Sequence, residues 1–337
     1  MKAVVQDRYG EPEQVLRIAE VPQPEPGEND VLVRVCATSV HADVWHAVTG
    51  RPALLRLMGS GVIRPRQRIP GTDVSGEVVA VGRNVTRFRA GDAVFGATQR
   101  SNLWKNGGAF ADTVAAPQDG LALKPTTVSH AHAVAVATPG LIALSNLQPP
   151  CAIQAGWNVL VNGAAGALGS TLVQLAKAQG ARVTAVDFPA KHAFLTQLGA
   201  DDVQAPGYER LPPPSKRFDL IVDVASTLSF SDVTPRLTPE GKYVFIGHDH
   251  YGRFGRRWLG TLPSYFALAV RGAFSPHLPP LIHSEVEPRM AMEELRRRLE
   301  TRQLTPVIDR TYPLAEAAAA LRYLASGSAC GRIVLVP

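Results

Sequence analysis

Residues 157–187 set the strongest limit on what this chain can fold into. The apolar run WNVLV reads as a strand and leads into Gly163-Ala-Ala-Gly166-Ala-Leu-Gly169. Next comes a segment in which Leu168, Leu172, Leu175 and Ala176 recur at helical spacing, closed by Gly180, and then a second strand pattern, ARVTAVD. Strand, tight turn, helix and strand in so short a stretch make a βαβ unit with parallel strands. Each glycine has its own task. Gly163 permits the sharp exit from the strand, Gly166 lets the backbone approach a phosphate, and Gly169 lets the helix pack closely on the strand. The helix N-terminus then offers free N–H groups and a partial positive charge, which suits a pyrophosphate. The pattern points to a bound dinucleotide, with Gly163, Ala165, Gly166, Ala167, Leu168 and Gly169 as the contacting turn.

The second strand ends at Asp187, 24 positions after Gly163. An acid near this place accepts hydrogen bonds from the adenosine ribose and repels a 2′-phosphate, which favours NADH. Lys191 and His192 follow closely and soften that choice, so the cofactor is read as NAD(P)H.

Around this unit the chain changes character twice. Up to about residue 125 it reads as β-structure: Val31, Val33, Val35 and Ala37 alternate with Leu32, Arg34 and Cys36, and short apolar runs between residues 71 and 96 are broken by glycine turns. That is the pattern of a small barrel. Residues 51–70 form a long connection with apolar content, expected to be a lid or a mobile segment. From Ser129, a helix N-cap candidate, a helix is expected, kinked or divided by Pro139. Strands and helices then alternate through FDLIVDVA and KYVFIG. The apolar stretch 259–274 fits a helix covering the cleft, a subunit interface or ordinary core. A charged helix, a strand, a helix and a final strand, GRIVLV, close the chain.

Composition narrows the class. The 337 residues are 45% hydrophobic and 19% charged, which is ordinary for a globular chain of about two domains. A net charge of +6 is a mild basic excess. Its densest group, Arg253, Arg256 and Arg257, carries no nucleic-acid motif, so no nucleic-acid partner is expected. Cys36, Cys151 and Cys330 are odd in number and widely spaced, which argues against a disulfide framework and for a reducing, cytoplasmic compartment. The opening MKAVVQDRYG lacks an apolar signal core, and no run is long enough to span a membrane.

Assembled, these pieces resemble the medium-chain dehydrogenase/reductase superfamily, in particular its zinc-independent quinone oxidoreductase and enoyl reductase branch. The resemblance rests on the opening MKAVVQDRYGEPEQVLRIAEVPQPEPGENDVLVRV, on PGTDVSGEVVAVGRNVTRFRAGDAVFG, GGAFADTVAAP, VLVNGAAGALGSTLVQLAKAQGA and LGADDV, and on the closing TPVIDRTYPLAEAAAALRYLASGSACGRIVLV. It implies an α/β chain with a GroES-like β-barrel catalytic domain from both ends (residues 1–126 and 275–337). Between them lies a Rossmann domain with a doubly wound parallel sheet (residues 127–274). It also implies an active site in the cleft where the nicotinamide faces the catalytic domain, and a homodimer. Zinc members carry a cysteine in the segment that here reads ATSVHADVWH, and a Gly-His-Glu motif where this chain has Gly71-Thr72-Asp73. Three cysteines cannot build the four-cysteine structural lobe, so no metal is expected.

The branch usually has Asn-Pro-x-Asp where this chain has His41-Ala42-Asp43, which puts a titratable ring where the substrate should sit. Without zinc, charge on the substrate oxygen must be met by hydrogen-bond donors. His41 is the first candidate for donor or proton source, with a scaffold histidine as the alternative. Asp43 orients a neighbour or caps a turn, and Trp45 and His46 are expected to line the pocket. Thr138 falls in the segment that resembles the nicotinamide-facing helix start, and Gly247 and His248 follow the last Rossmann strand, where relatives pass beside the nicotinamide. The expected function is NAD(P)H-dependent hydride transfer to a conjugated enone or quinone. A zinc-free ketone or alcohol oxidoreductase and a redox-silent nucleotide-binding scaffold are the alternatives.

Overall fold

The structure, a computed structural model, describes residues 1–54, 56–98, 106–207, 212–246, 258–279 and 286–337. Gly247, His248 and the Arg253–Arg257 group lie outside the described residues. The chain divides into two compact units, one made of Met1–Leu141, Glu287–Arg302 and Pro306–Pro337, the other of Ile142–Val286 and Gln303–Thr305. The first unit therefore joins both ends of the chain, and it reaches Leu141 rather than residue 126. The helix His130–Ala135 accounts for the extension, because Val134 and Ala135 pack with Ala37 and Val334 in that unit's interior.

In the first unit the strands are β1 (Lys2–Gln6), β2 (Leu16–Glu20), β3 (Asp30–Val40), β4 (Asp73–Val81), β5 (Ala93–Ala97), β6 (Thr113–Pro117) and β7 (Leu121–Leu123). The second unit supplies β8 (Asn158–Asn162), β9 (Arg182–Val186), β10 (Asp202–Gln204), β11 (Phe218–Asp223) and β12 (Leu237–Phe245). The chain then returns to the first unit with β13 (Ile308–Pro313) and β14 (Arg332–Val336).

The first unit's main sheet runs β13-β14-β3-β4-β5-β7, with β6 also paired to β3. Its ladders are antiparallel except for β13–β14. The alternation in β3 is realised: Val31, Val33 and Val35 meet Val74, Val78, Val94 and Leu121 in one cluster, while Arg34 is exposed. Register shifts against β4, between Leu32 and Val33 and again between Val35 and Ala37, bend the strand, as bulges do. The second bend hands Ala37 to a different cluster from Val35.

Three sequence expectations meet a more specific outcome. The 51–70 connection is anchored: Tyr9 Oη donates to the Gly61 carbonyl (2.7 Å), Arg56 Nε donates to the Gly50 carbonyl (2.8 Å), and the Arg56 guanidinium lies 4.5 Å from the Tyr9 ring centre. The helix after Ser129 divides at Val136, before Pro139, and the next helix is Ala137–Asn146. Pro139 thus sits in a first turn, where a missing N–H breaks no helical bond. The stretch 259–274 meets the core only in part, through Leu268, which packs against the second unit's cluster around Phe218 and Tyr243. Its helix, Leu262–Gly272, buries no residue fully, and Phe266, Val270 and Phe274 are 62%, 67% and 87% exposed.

The second unit is a parallel sheet in the order β10-β9-β8-β11-β12. Val159, Leu160 and Val161 are consecutive and all fully buried, as expected of a strand covered on both faces. Burying each contributes about 1.5–3 kcal/mol, so the register of this central strand is strongly held. Sequence order reverses at β8, with β9 on one side and β11 on the other. Open sheets of this kind bind ligands outside the carboxyl ends of the strands at such a reversal.

Candidate active site

At that end of β8 the glycines divide their work. Gly163 takes φ of 79°, a conformation that a side chain would strain, and a Cβ there would lie 3.0 Å from the Ala225 nitrogen. A Cβ on Gly169 would stand 2.2 Å from the Gly163 carbonyl oxygen and 2.6 Å from the Ala164 Cα. Both glycines are therefore required by the protein's own packing. Gly166 differs: its φ is −68°, and the nearest atom to an added Cβ is 3.9 Å away. Among the described residues nothing needs Gly166 to be glycine, which leaves open space beside the backbone for a ligand.

The backbone donors sort the same way. Gly163 and Ala164 donate to the Val186 carbonyl (2.9 and 3.2 Å), and Ala165 donates to Asp187 Oδ2 (2.9 Å). The helix Ala167–Ala178 starts at Gly166 with no side-chain cap, so its first-turn N–H groups lack intrahelical acceptors. Ala164 and Ala165 are buried, whereas Gly166, Ala167 and Leu168 are half-buried. The N–H of Ala165, a residue expected to contact the dinucleotide, is tied to Asp187, and the less buried stretch of the turn is Gly166 to Leu168. This open cradle, helix terminus and freed N–H set fits a dinucleotide pyrophosphate.

Asp187 is 7% exposed and takes two backbone donors, Ala165 N and Phe188 N (2.8 Å). Lys191 Nζ stands 3.5 Å from its Oδ1, and His192 Nε2 bonds its carbonyl (2.9 Å). The carboxylate thus fastens the glycine turn to the end of β9 and faces a cation of its own.

A second group at the strand ends went unread in the sequence. Asn162 Nδ2 donates to Asp223 Oδ1 (2.7 Å) and to Thr227 Oγ1 (2.8 Å). Tyr243 Oη (3.1 Å) and Leu228 N (3.0 Å) donate to Asp223 Oδ2. Burial raises the pKa of Asp223 above the usual carboxylate range, against these donors, and raises that of Tyr243 as well. The group ties the ends of β8, β11 and β12 together. Its signal was available: Asp223 is the acid that closes the buried apolar run Leu220-Ile221-Val222.

In the first unit His41 caps the N-terminal end of the helix Ala42–Thr49 in an extended conformation. It is 6% exposed. Its Nε2 lies 2.6 Å from Thr72 Oγ1, its Nδ1 3.5 Å from Asp43 Oδ2, and its Nε2 4.0 Å from Asp73 Oδ2. At 3.5 Å Asp43 acts on the ring more through charge than through a well-made hydrogen bond. Burial pushes the Asp43 pKa up, but His41 and, further off, His46 and Arg332 outweigh it and hold the carboxyl below its ordinary range. With a proton on Nδ1 facing the carboxylate, Nε2 accepts from Thr72 when it carries no proton and donates to Thr72 when it carries one.

Asp73, the first residue of β4, is fully buried and collects donors. Ser39 Oγ donates to its Oδ2 (2.5 Å), Arg332 forms an ion pair with Oδ2, and Thr138 Oγ1 donates to Oδ1. Arg332 Nε in turn donates to Ser39 Oγ (2.9 Å). Of these, only Thr138 was singled out from the sequence. Asp73 was noticed as a position without a zinc ligand, and Arg332 looked like part of an ordinary last strand. Trp45 and His46 are corrected: they are 3% and 1% exposed, their rings meet edge to face, and His46 Nδ1 bonds the Arg51 carbonyl (2.7 Å). They brace the start of the 51–70 segment instead of presenting an open wall. Among the described residues no group of three or more His, Cys, Asp or Glu is placed to hold a metal ion.

A β-rich unit assembled from both chain ends and a doubly wound parallel unit with a glycine-rich phosphate cradle together define an oxidoreductase architecture, and comparison with known proteins agrees. Residues 27–126 match the alcohol dehydrogenase GroES-like domain family, and residues 198–335 match the family described as zinc-binding dehydrogenase. The chain is 32% identical to the chloroplast envelope quinone oxidoreductase homolog of Arabidopsis thaliana, over 100% of this chain and 98% of that protein. It is 27% identical to 2-methylene-furan-3-one reductase of Solanum lycopersicum, over 100% of this chain and 79% of that one. The fold matches that of the quinone oxidoreductase from Coxiella burnetii with a TM-score of 0.81, at 24% identity, covering 100% of this chain and 99% of the other. The chain belongs to the quinone oxidoreductase family of the medium-chain dehydrogenase/reductase superfamily.

Proposed function

We propose that the chain is a zinc-independent, NAD(P)H-dependent reductase that moves a hydride to a conjugated enone or a quinone. The observation that carries this is the turn after β8, where Gly166 leaves free space and Gly166 to Leu168 are only half-buried at a helix start whose N–H groups lack intrahelical acceptors. The relatives named for quinone and for methylene-furanone reduction support the acceptor class. When bound, the nicotinamide supplies a hydride from its C4.

The protein's share is to hold the nucleotide and meet the charge that develops on the substrate. Gly163 and Gly169 shape the turn, and the N–H groups of Gly166, Ala167 and Leu168 bind phosphate oxygens. Asp187 fixes the turn through Ala165 and faces the ribose, and Thr138 contacts the nicotinamide. Hydride addition to the β-carbon of an enone leaves negative charge on the carbonyl oxygen and requires a proton to complete reduction. His41, held between Thr72 and Asp43, is the proton source, and the ionised Asp43 stabilises the charged ring. No step uses a metal.

Asp187 gives a preference for NADH that is small, because Lys191 stands 3.5 Å from it and offsets its repulsion of a 2′-phosphate. The exposed apolar face of the helix Leu262–Gly272 supports a homodimer, and three free cysteines support a cytoplasmic setting.

The test is a titration of the purified protein with NADH and NADPH by nicotinamide fluorescence, followed by addition of 9,10-phenanthrenequinone, a simple enone or a saturated ketone. Binding with oxidation on adding the quinone or the enone is expected. Oxidation by the saturated ketone alone would assign a ketone reductase. Binding without turnover by any acceptor would leave a nucleotide-binding scaffold, and absence of binding would refute the reading.

A further inference from the structure

We infer that the buried Asp73–Arg332 pair fixes the hydroxyl of Thr138 as a pure hydrogen-bond acceptor, so that Thr138 reads the amide N–H of the nicotinamide carboxamide. The inference rests on the proposed contact between Thr138 and the nicotinamide, and it assigns that contact its direction.

The direction follows from who can donate to whom. Arg332 has donors only, and its guanidinium stays charged. It donates through Nε to Ser39 Oγ and pairs with Asp73 Oδ2. Ser39 accepts from Arg332 and therefore turns its own proton to Asp73 Oδ2, at 2.5 Å. As the carboxylate of the Arg332 ion pair, Asp73 has no proton to give. The Thr138 hydroxyl at Oδ1 must then donate to Asp73. A hydroxyl has one proton, so what Thr138 has left is its lone pairs. Any ligand group that meets this oxygen must bring a donor. On the nicotinamide ring the carboxamide N–H is that donor, and the carboxamide carbonyl is refused. Since the carboxamide lies at one edge of the ring, fixing which of its ends faces Thr138 also fixes how the ring is turned.

The carboxylate is needed for this, and the pattern of donors says what an amide would do. In Asp73→Asn, Arg332 and Ser39 both demand an acceptor at the Oδ2 position, so the amide oxygen stays there. The amide nitrogen then falls at the Oδ1 position, beside Thr138. Thr138 must accept from it and turn its proton outward, which reverses the polarity offered to a ligand. Asp73 and Arg332 are positioning residues in this account, since both act through Thr138.

The readout is a ratio of affinities. The reduced 3-acetylpyridine analogue of the cofactor replaces the carboxamide by a methyl ketone, which keeps the carbonyl and loses the N–H. The thionicotinamide analogue keeps the N–H. Binding of NADH and both analogues is measured by fluorescence or calorimetry, without turnover. The wild type should bind NADH and the thionicotinamide analogue more tightly than the acetylpyridine analogue, by roughly tenfold, the size of one hydrogen bond. Thr138→Val should bring that ratio close to one, and Thr138→Ser should keep it. Asp73→Asn, where circular dichroism shows it folded, should shift the ratio towards the acetylpyridine analogue. A merely structural role would weaken all three nucleotides together and leave the ratios alone. An unchanged ratio in Thr138→Val overturns the inference even if Asp73→Asn fails to fold, while nucleotide binding with turnover would still uphold the reductase. A wild type that binds none of the three nucleotides overturns both.

Discussion

The last two glycines of the turn, Gly166 and Gly169, make opposite predictions, and the difference can be worked from the structure. In Gly169→Ala the new methyl would sit 2.2 Å from a backbone oxygen and 2.6 Å from a backbone carbon. Neither atom belongs to a flexible side chain, so helix and turn must separate. Overpacking of this kind costs about 1–3 kcal/mol or more. Alanine in a helix would by itself return about 1 kcal/mol over glycine. With contacts this short the upper end applies, and a net loss of about 2 kcal/mol is expected. For a unit of this size that lowers the melting temperature by about 4–8 °C. Gly166→Ala meets no atom closer than 3.9 Å and keeps an allowed φ, so stability should hold within about 0.5 kcal/mol, as for a substitution that meets nothing. The methyl would, however, fill the space kept for the pyrophosphate, and nucleotide affinity should fall by about tenfold or more, an amount worth one hydrogen bond. Scanning calorimetry and fluorescence titration of both variants decide the matter. If Gly169→Ala melts with the wild type, or Gly166→Ala binds NADH undiminished, the assignment of packing to one glycine and ligand space to the other is refuted.

Three further outcomes follow from the charged groups. Arg332→Met leaves the fully buried Asp73 without its cation, a change that costs about 3–5 kcal/mol in comparable sites. Calorimetry should show a melting point lower by at least several degrees, and a drop under one degree would contradict the network. Lys191→Ala removes the cation facing Asp187, so the ratio of kcat/KM for NADH over NADPH should rise several-fold; a fall would show that Lys191 does not serve the 2′-phosphate. The depressed pKa of Asp43 gives stability that is present above its ordinary value of 3.8 and lost as pH falls through the lower folded value. Asp43→Asn should flatten the acid limb of the stability curve, read as urea midpoints at pH 6 and pH 3, and an unchanged acid limb would remove His41 as its partner.

The sequence made the second unit legible because local rules and tertiary demands agree there. Strand, glycine spacing and amphipathic helix each follow from a short window, and the parallel order then follows from the alternation. Asp187 was found by spacing, but its partners were not: that Ala165 N–H meets it depends on how the turn closes over β9, 22 positions earlier in the chain. The first unit's site was harder to read because its members are scattered. Ser39, Asp73, Thr138 and Arg332 come from four segments, and Ser39 and Arg332 are 293 positions apart. No window holds such a pattern. Trp45 and His46 misled for a related reason. Their nearness to His41 in sequence suggested the pocket, but helical geometry turns neighbours to different faces, and both rings went inward.

The same network raises a question of cost that bears on function. A buried ion pair is seldom the stablest filling of its space, and hydrophobic replacements of similar volume are often neutral or stabilising. Asp73 and Arg332 are 0% and 4% exposed, so they carry nearly the full desolvation penalty. A barrel built for stability alone would do as well with two apolar side chains between β3, β4 and β14. What the apolar pair could not do is determine a proton's direction. Leucine at position 73 would leave the Thr138 hydroxyl free to turn, and its hydrogen bonds with a ligand would then carry no preference for either end of a carboxamide. The penalty therefore has a use only if something polar meets Thr138 from outside. On that argument the double variant Asp73→Leu/Arg332→Met should be at least as stable as the single Arg332→Met, because no charge is left stranded. It should nonetheless bind NADH and the acetylpyridine analogue without preference. Recovered stability together with retained discrimination would show that the pair has no part in orienting Thr138.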